Sequence, residues 1–213
     1  MKKVIIKVCG IRDEVNIRNV EVLDVDFIGF IFYPGSLRFV GDDNGESLEA
    51  IRKCEKKKVG VFVNDTFENI SIKAELYKLD FLQLHGNETP ELCRELRQCG
   101  YSVIKAFSVS TAYDFKGMEN YSGCCDFFLF DTKCSGYGGS GQRFDWSLLD
   151  EYNGSVSFLL SGGLTTDCYE DLVMLNHTKL AGIDLNSGFE ISPAMKDVDK
   201  LRTFINRIRK SDI

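Results

Sequence analysis

Short apolar runs recur along this chain, separated by amphipathic stretches. The runs are Val4–Cys9, Phe27–Phe32, Lys58–Val63, Phe81–Leu84, Ser102–Phe107, Phe127–Asp131, Ser157–Ser161 and Gly182–Leu185. Each is nearly continuously apolar rather than alternating, which predicts strands buried on both faces. The segments between them carry helix starts. Thr89-Pro90-Glu91 sets a capping hydroxyl, a first-turn proline and an acid in favourable order. Thr66 stands before Phe67-Glu68-Asn69-Ile70, and Asp145 before Trp146-Ser147-Leu148-Leu149. A last helix is predicted over roughly Lys196–Arg209, where Val198, Leu201, Phe204, Ile205 and Ile208 fall at i, i+3, i+4 spacing. Its Asp, Lys and Arg positions read as a solvated face.

Eight strand–helix units fit within 213 residues. That length lies near the lower bound of about 200 residues for a closed (β/α)₈ barrel. The fold class is α/β, and the count of eight favours a TIM barrel over an open doubly wound sheet. No compositional break divides the chain, so one domain over residues 1–213 is expected.

Composition narrows the class. Hydrophobic residues make up 44% and charged residues 27%, the profile of a soluble globular protein. Net charge is −6 and no Lys/Arg block forms a phosphate-tracking stripe, so no nucleic-acid partner is expected. After Met1-Lys2-Lys3 only three apolar residues follow, short of a secretory core and of the ~20 residues that span a membrane. A cytoplasmic chain without membrane contact is expected. The eight cysteines contain no C-x-x-C pair, and two histidines offer little to a metal. No metal site is expected.

In a barrel, chemistry gathers at the C-terminal strand ends. There the chain places Cys9-Gly10, Arg38 in the stretch after strand two, Gln83-Leu84-His85-Gly86, Asp131, Ser161-Gly162-Gly163 and Asn186-Ser187-Gly188. Singly, Cys9 reads as buried core, Asp131 as a turn cap, Arg38 as surface charge and His85 as a satisfied loop residue. Their concentration on one predicted rim points to a site. Gly136-Tyr137-Gly138-Gly139-Ser140-Gly141 matches G-x-G-x-x-G but lacks the helix and the downstream acid of a dinucleotide fingerprint. It reads as a mobile loop over the site. The glycines after strands seven and eight suit a phosphate cradle.

These segments resemble phosphoribosylanthranilate isomerase, an enzyme family of tryptophan biosynthesis, over essentially the whole chain. The resemblance is carried by Lys7-Val8-Cys9-Gly10-Ile11, Phe27–Phe32 with Ser36–Val40, Val59–Asn64 and Leu82–Glu88. It continues through Gly138–Gly141 with Phe144-Asp145-Trp146, Ser161–Leu164 and Asp184–Glu190. It implies a (β/α)₈ barrel performing an Amadori rearrangement of N-(5-phospho-β-D-ribosyl)anthranilate without cofactor. By motif position it implies Cys9 as general base and Asp131 as general acid. Arg38 matches the arginine at the anthranilate end, and His85, Gly141, Gly162, Gly163, Asp184, Ser187 and Gly188 fall at substrate-binding positions. The implied partner is a phosphorylated small molecule, with a monomer expected and a homodimer the alternative.

The chemistry asks for these types. Ring opening needs a proton donor, yet an ordinary aspartic acid with a pKa of about 3.9 is ionised at neutral pH. A base must then take the C2 proton, and a free thiol is only slightly ionised at pH 7. Lys7 and Arg12 are the nearby cations that could favour the thiolate. The chain departs from the family pattern at Leu37 (usually proline), Gln142-Arg143, Ser161 (often alanine) and Asn186 (often serine). A ribulose-phosphate epimerase would show a metal-binding histidine set, and an indole-glycerol-phosphate synthase a catalytic lysine with glutamates. A non-catalytic phosphate-binding barrel would have lost Cys9 or Asp131.

Overall fold

A computed structural model describes residues 3–41, 46–132 and 144–211. Eight parallel strands close into a barrel in chain order, with β1 hydrogen-bonded to both β2 and β8. They are β1 (Ile5–Cys9), β2 (Phe27–Ile31), β3 (Lys57–Phe62), β4 (Phe81–Leu84), β5 (Ser102–Val109), β6 (Phe127–Thr132), β7 (Phe158–Leu160) and β8 (Leu180–Leu185). Every predicted strand forms, and closure excludes the open sheet. The helices are α1 (Glu14–Glu21), α2 (Glu46–Lys53), α3 (Phe67–Tyr77), α4 (Pro90–Gln98), α5 (Tyr169–Met174) and α6 (Val198–Lys210). A hairpin of β9 (Glu190–Ser192) and β10 (Met195–Lys196) follows β8. The predicted glycine loop, Gly136–Gly141, and Gln142-Arg143 lie outside the described residues. Among the described residues no helix is long and apolar enough to cross a membrane.

Local chemistry explains the starts. Thr66 and Thr89 accept hydrogen bonds from the Asn69 and Leu92 amides, capping α3 and α4 as predicted. Asp145 accepts from Ser147 N, but Trp146–Glu151 is a 3₁₀ helix rather than an α-helix. Its buried residues Trp146, Leu149 and Tyr152 recur every three positions, and a three-residue turn puts all of them on one face.

The last helix begins later than predicted. Asp197 caps it through Lys200 N, which leaves Lys196 in β10. Lys196 is therefore not on a solvated face: it is buried, and its Nζ donates to Asn186 Oδ1 and Glu190 Oε1. The remaining apolar positions of α6 pack inward as the periodicity implied, with Leu201, Phe204, Ile205 and Ile208 buried.

Strand alternation puts Ile5, Lys7 and Cys9 on one face of β1. Ile5 packs with Phe27, Phe81 and Phe127, the first residues of β2, β4 and β6, around buried Val59, Ile104, Leu129 and Leu159. That cluster makes the interior floor apolar, each fully buried side chain contributing about 1.5–3 kcal/mol. Cys9, two steps above Lys7 on the same face, reaches the C-terminal mouth.

Candidate active site

An open cavity at the C-terminal strand ends encloses about 680 Å³ of space, part of it solvent. Cys9, His85, Asp131, Gly162, Gly163, Asp184 and Ser187 all line it. One wall is mostly apolar, from Ile31 at the end of β2, Tyr33 just after it, and Val61 and Val63 at the β3 end. The opposite rim is the Ser161–Leu164 turn with Asn186 and Ser187. Gly141 lies outside the described residues. Arg38 and Gly188 do not line the cavity. Gly188 packs against the Leu164 carbonyl, and the Arg38 stem lies over Gly10, beside Cys9.

Cys9 closes β1 and is buried. Its register partner on β2 is Gly29, where a Cβ would stand 2.6 Å from the Cys9 sulfur, so the thiol occupies space that only glycine leaves. Burial pushes the thiol above its ordinary pKa. Lys7, within hydrogen-bonding reach, pulls it down, while Asp184 adds to the rise. Of the two cations near in sequence, only Lys7 acts here. Arg12 is exposed, and its guanidinium donates to the Phe39 carbonyl.

Lys7 has no exposed surface, and its Nζ lies 2.8 Å from Asp184 Oδ2. Burial would strip the ammonium of its proton, but Asp184 and Cys9 outweigh that and raise its pKa. The Asp184 carboxyl is pushed up by burial against the pull of Lys7. Its Oδ1 is buried with no partner among the described residues. An acceptor left open in a cavity wall suits a ligand hydroxyl.

Asp131 ends the inward face of β6. Its Oδ1 accepts from Thr132 N at 2.8 Å, and its Oδ2 lies 3.4 Å from His85 Nε2. Behind His85, Nδ1 meets Gln83 Nε2 at 2.9 Å. Gly162 holds φ +85° beside this pair, and a Cβ there would fall 2.7 Å from Asp131 Oδ1 and 2.6 Å from Thr132 N.

Arg38 donates through Nε and Nη2 to both oxygens of Glu190, at 2.8 and 2.6 Å. Hydrogen bonding to Glu190 raises the guanidinium pKa over the opposing effect of burial. Burial pushes the Glu190 carboxyl up, but Arg38 and Lys196 prevail and hold it below the usual range. Nη1 makes no hydrogen bond to a described residue, so one edge of the fork is left without a partner there.

Sequence reasoning missed Glu190 and Lys196. The signal for Lys196 was its place one residue before the Asp197 cap, outside the helix it was assigned to. Glu190 carried no such mark, because only the hairpin brings it to Arg38.

A family model described as N-(5'-phosphoribosyl)anthranilate (PRA) isomerase matches residues 6–207. The N-(5'-phosphoribosyl)anthranilate isomerase of Parabacteroides distasonis is 54% identical over 205 residues, covering 96% of this chain and 93% of that protein. The crystal structure of phosphoribosyl anthranilate isomerase from Thermotoga maritima shares the fold with a TM-score of 0.82 at 34% identity, over 97% of this chain and 98% of that one. A phosphoribosyl anthranilate isomerase in complex with reduced 1-(o-carboxyphenylamino)-1-deoxyribulose 5-phosphate gives a TM-score of 0.78 at 31% identity, with 97% and 98% covered. The chain belongs to the N-(5'-phosphoribosyl)anthranilate isomerase family.

Proposed function

We propose that Cys9 and Asp131 are the base and acid with which this isomerase of tryptophan biosynthesis converts N-(5-phospho-β-D-ribosyl)anthranilate to 1-(2-carboxyphenylamino)-1-deoxy-D-ribulose 5-phosphate. One observation carries the assignment. A buried thiol on β1 and a carboxyl on β6 face the same cavity from strands three apart around the ring.

The cavity's two sides match the substrate's two ends. The anthranilate ring lies against Ile31, Val61 and Val63, and Arg38, behind Gly10 and just outside the lining, offers its unbonded Nη1 to the carboxylate. The phosphate takes the Gly162, Gly163 and Ser187 amides, and Asp184 Oδ1 accepts from a ribose hydroxyl. The relative solved with a reduced product bound supports a phosphorylated ligand in this fold.

The steps balance. Asp131 protonates the ring oxygen as the C1–O bond breaks, and the nitrogen lone pair forms the C1=N bond. Cys9 thiolate removes the C2 proton, and those electrons form C1=C2 as the C=N electrons return to nitrogen. C1 then gains the thiol's proton, and the C2 hydroxyl gives up its own to Asp131 as the ketone forms. Substrate and product are isomers, and both groups return to their starting states. Purified enzyme should abolish the substrate's anthranilate fluorescence with saturable kinetics. No turnover at micromolar enzyme would overturn the reading.

A further inference from the structure

Arg38, from the stretch after β2, and Asn186, just past the end of β8, meet over Gly10. Gly10 holds φ +78°, and a Cβ there would stand 2.6 Å from Arg38 Cδ and 2.9 Å from Asn186 Oδ1. Asn186 lines the cavity, whereas Arg38 lies just outside the lining. We propose that Asn186 is a specificity-determining residue whose amide nitrogen donates to the anthranilate carboxylate alongside Arg38. The proposal rests on the reading that the carboxylate lies at Arg38.

The orientation of the amide follows from its neighbour. Lys196 Nζ stands 2.8 Å from the Asn186 side chain and has hydrogens to give, so the amide atom facing it is the oxygen. Nδ2, the other end of the planar amide, makes no hydrogen bond to a described residue and is the end left for a ligand. Lys196 is a firm reference for that orientation. The buried Asn16 amide grips its backbone on both sides, accepting from Lys196 N at 2.8 Å and donating to Lys196 O at 3.0 Å. Burial lowers the Lys196 pKa, and Glu190 opposes this by favouring the ammonium. Even the amine keeps a hydrogen for each of its two acceptors.

The acceptor that Nδ2 lacks has to come from outside, because the local carboxylate is already taken. Glu190 Oε1 accepts from Arg38 Nε, Lys196 Nζ and the Ala194 amide, and Oε2 accepts from Arg38 Nη2. Arg38 Nη1 and Asn186 Nδ2 are therefore two donors on side chains that converge over Gly10, each without an acceptor among the described residues. A carboxylate, with two oxygens and about four lone-pair sites, accepts from both donors at once, whereas a hydroxyl offers a single oxygen.

A neutral amide suits this position, since it adds a donor without adding charge beside Arg38 and Lys196. Holding Lys196 and receiving the ligand are separable tasks. An aspartate at position 186 would accept from Lys196 through one oxygen as well as asparagine does. Its second oxygen would then stand where Nδ2 stood, an acceptor in place of a donor, and would repel a carboxylate.

The test measures, by titration calorimetry, the Kd of reduced 1-(2-carboxyphenylamino)-1-deoxyribulose 5-phosphate and of the same molecule with hydrogen in place of its carboxylate. Wild type should bind the carboxylate-bearing ligand at least about thirtyfold more tightly. Asn186→Ala should cut that preference by about tenfold, and Asn186→Asp should cut it further. Both variants should bind the carboxylate-free ligand within about threefold of wild type, which shows the site intact. In steady-state assays the loss should fall on KM, with kcat changed much less. A preference in Asn186→Ala equal to that of wild type, or a loss equal on both ligands, would overturn the proposal. So would a stronger preference in Asn186→Asp than in Asn186→Ala, the pattern of a residue that only holds Lys196. A wild-type enzyme that binds both ligands alike would instead remove the assignment of Arg38 beneath it.

Discussion

Lys7 and Asp184 form a buried ion pair beneath the Cys9 thiol: Nζ and Oδ2 are 2.8 Å apart, and the two residues are register partners across β1 and β8. The cation favours the thiolate and the carboxylate keeps the cation charged. Lys7→Met should raise the thiol's pKa further and lower turnover by about tenfold or more. It should also cost about 3–5 kcal/mol, because Asp184 is left buried and unpaired. Urea unfolding of Lys7→Met/Asp184→Leu separates the effects: stability should return and activity should not. Recovered activity in the double variant would show that the pair serves folding alone.

Cys9→Ala and Asp131→Asn should each lower kcat by about 10²–10⁴-fold. Asp131→Asn keeps a side-chain oxygen to accept from Thr132 N, and Cys9→Ala removes a single buried sulfur, so thermal unfolding should shift by only a few degrees. Turnover near wild type in either purified variant would contradict the assigned roles.

Burial raises the Cys9 thiol, so the thiolate fraction at pH 7 is smaller than in a free cysteine. The sign is that reactivity grows as pH rises. Iodoacetamide alkylation of Cys9, followed by peptide mass spectrometry, should accelerate by about tenfold per pH unit from pH 7 and still be climbing at pH 9. A plateau below pH 8 would mean that Lys7 outweighs burial.

Arg38 keeps its fork oriented through Glu190, which in turn holds Lys196. Arg38→Gln should raise KM by about tenfold while changing kcat much less, because it removes binding common to ground and transition states. Glu190→Gln should show the same direction more weakly. A change in kcat alone, at constant KM, would place Arg38 in the chemical step.

Gly162→Ala should be more damaging than its small volume implies. The residue sits at φ +85°, and the added methyl would press on Thr132 N and Asp131 Oδ1. A loss of at least about 1 kcal/mol of stability is expected, with turnover reduced by displacement of the acid. An unaffected kcat would show that the turn yields without moving Asp131.

Much of this architecture follows from the chain alone. Buried parallel strands are continuously apolar, so Phe27–Phe32 or Phe81–Leu84 identify themselves without any partner in view. Caps such as Thr66 and Thr89 depend on residues a few positions away, and both are where the sequence put them. Cys9, His85, Asp131 and the Gly162-Gly163 turn were legible because strand ends share one rim in a barrel. The count of eight units pointed to closure, but the register in which β1 meets β8, across almost the whole chain, came only with the fold. The partnership of Lys7 with Asp184 needs that register. The grip of Glu190 on Arg38, 152 positions apart, needs the hairpin after β8. Lys196 looked solvated because the helix was begun two residues too early, while the fold turned it into the interior. Sequence determined which groups stand at the mouth; tertiary packing decided which of them are buried, and burial decides how an ionisable group behaves.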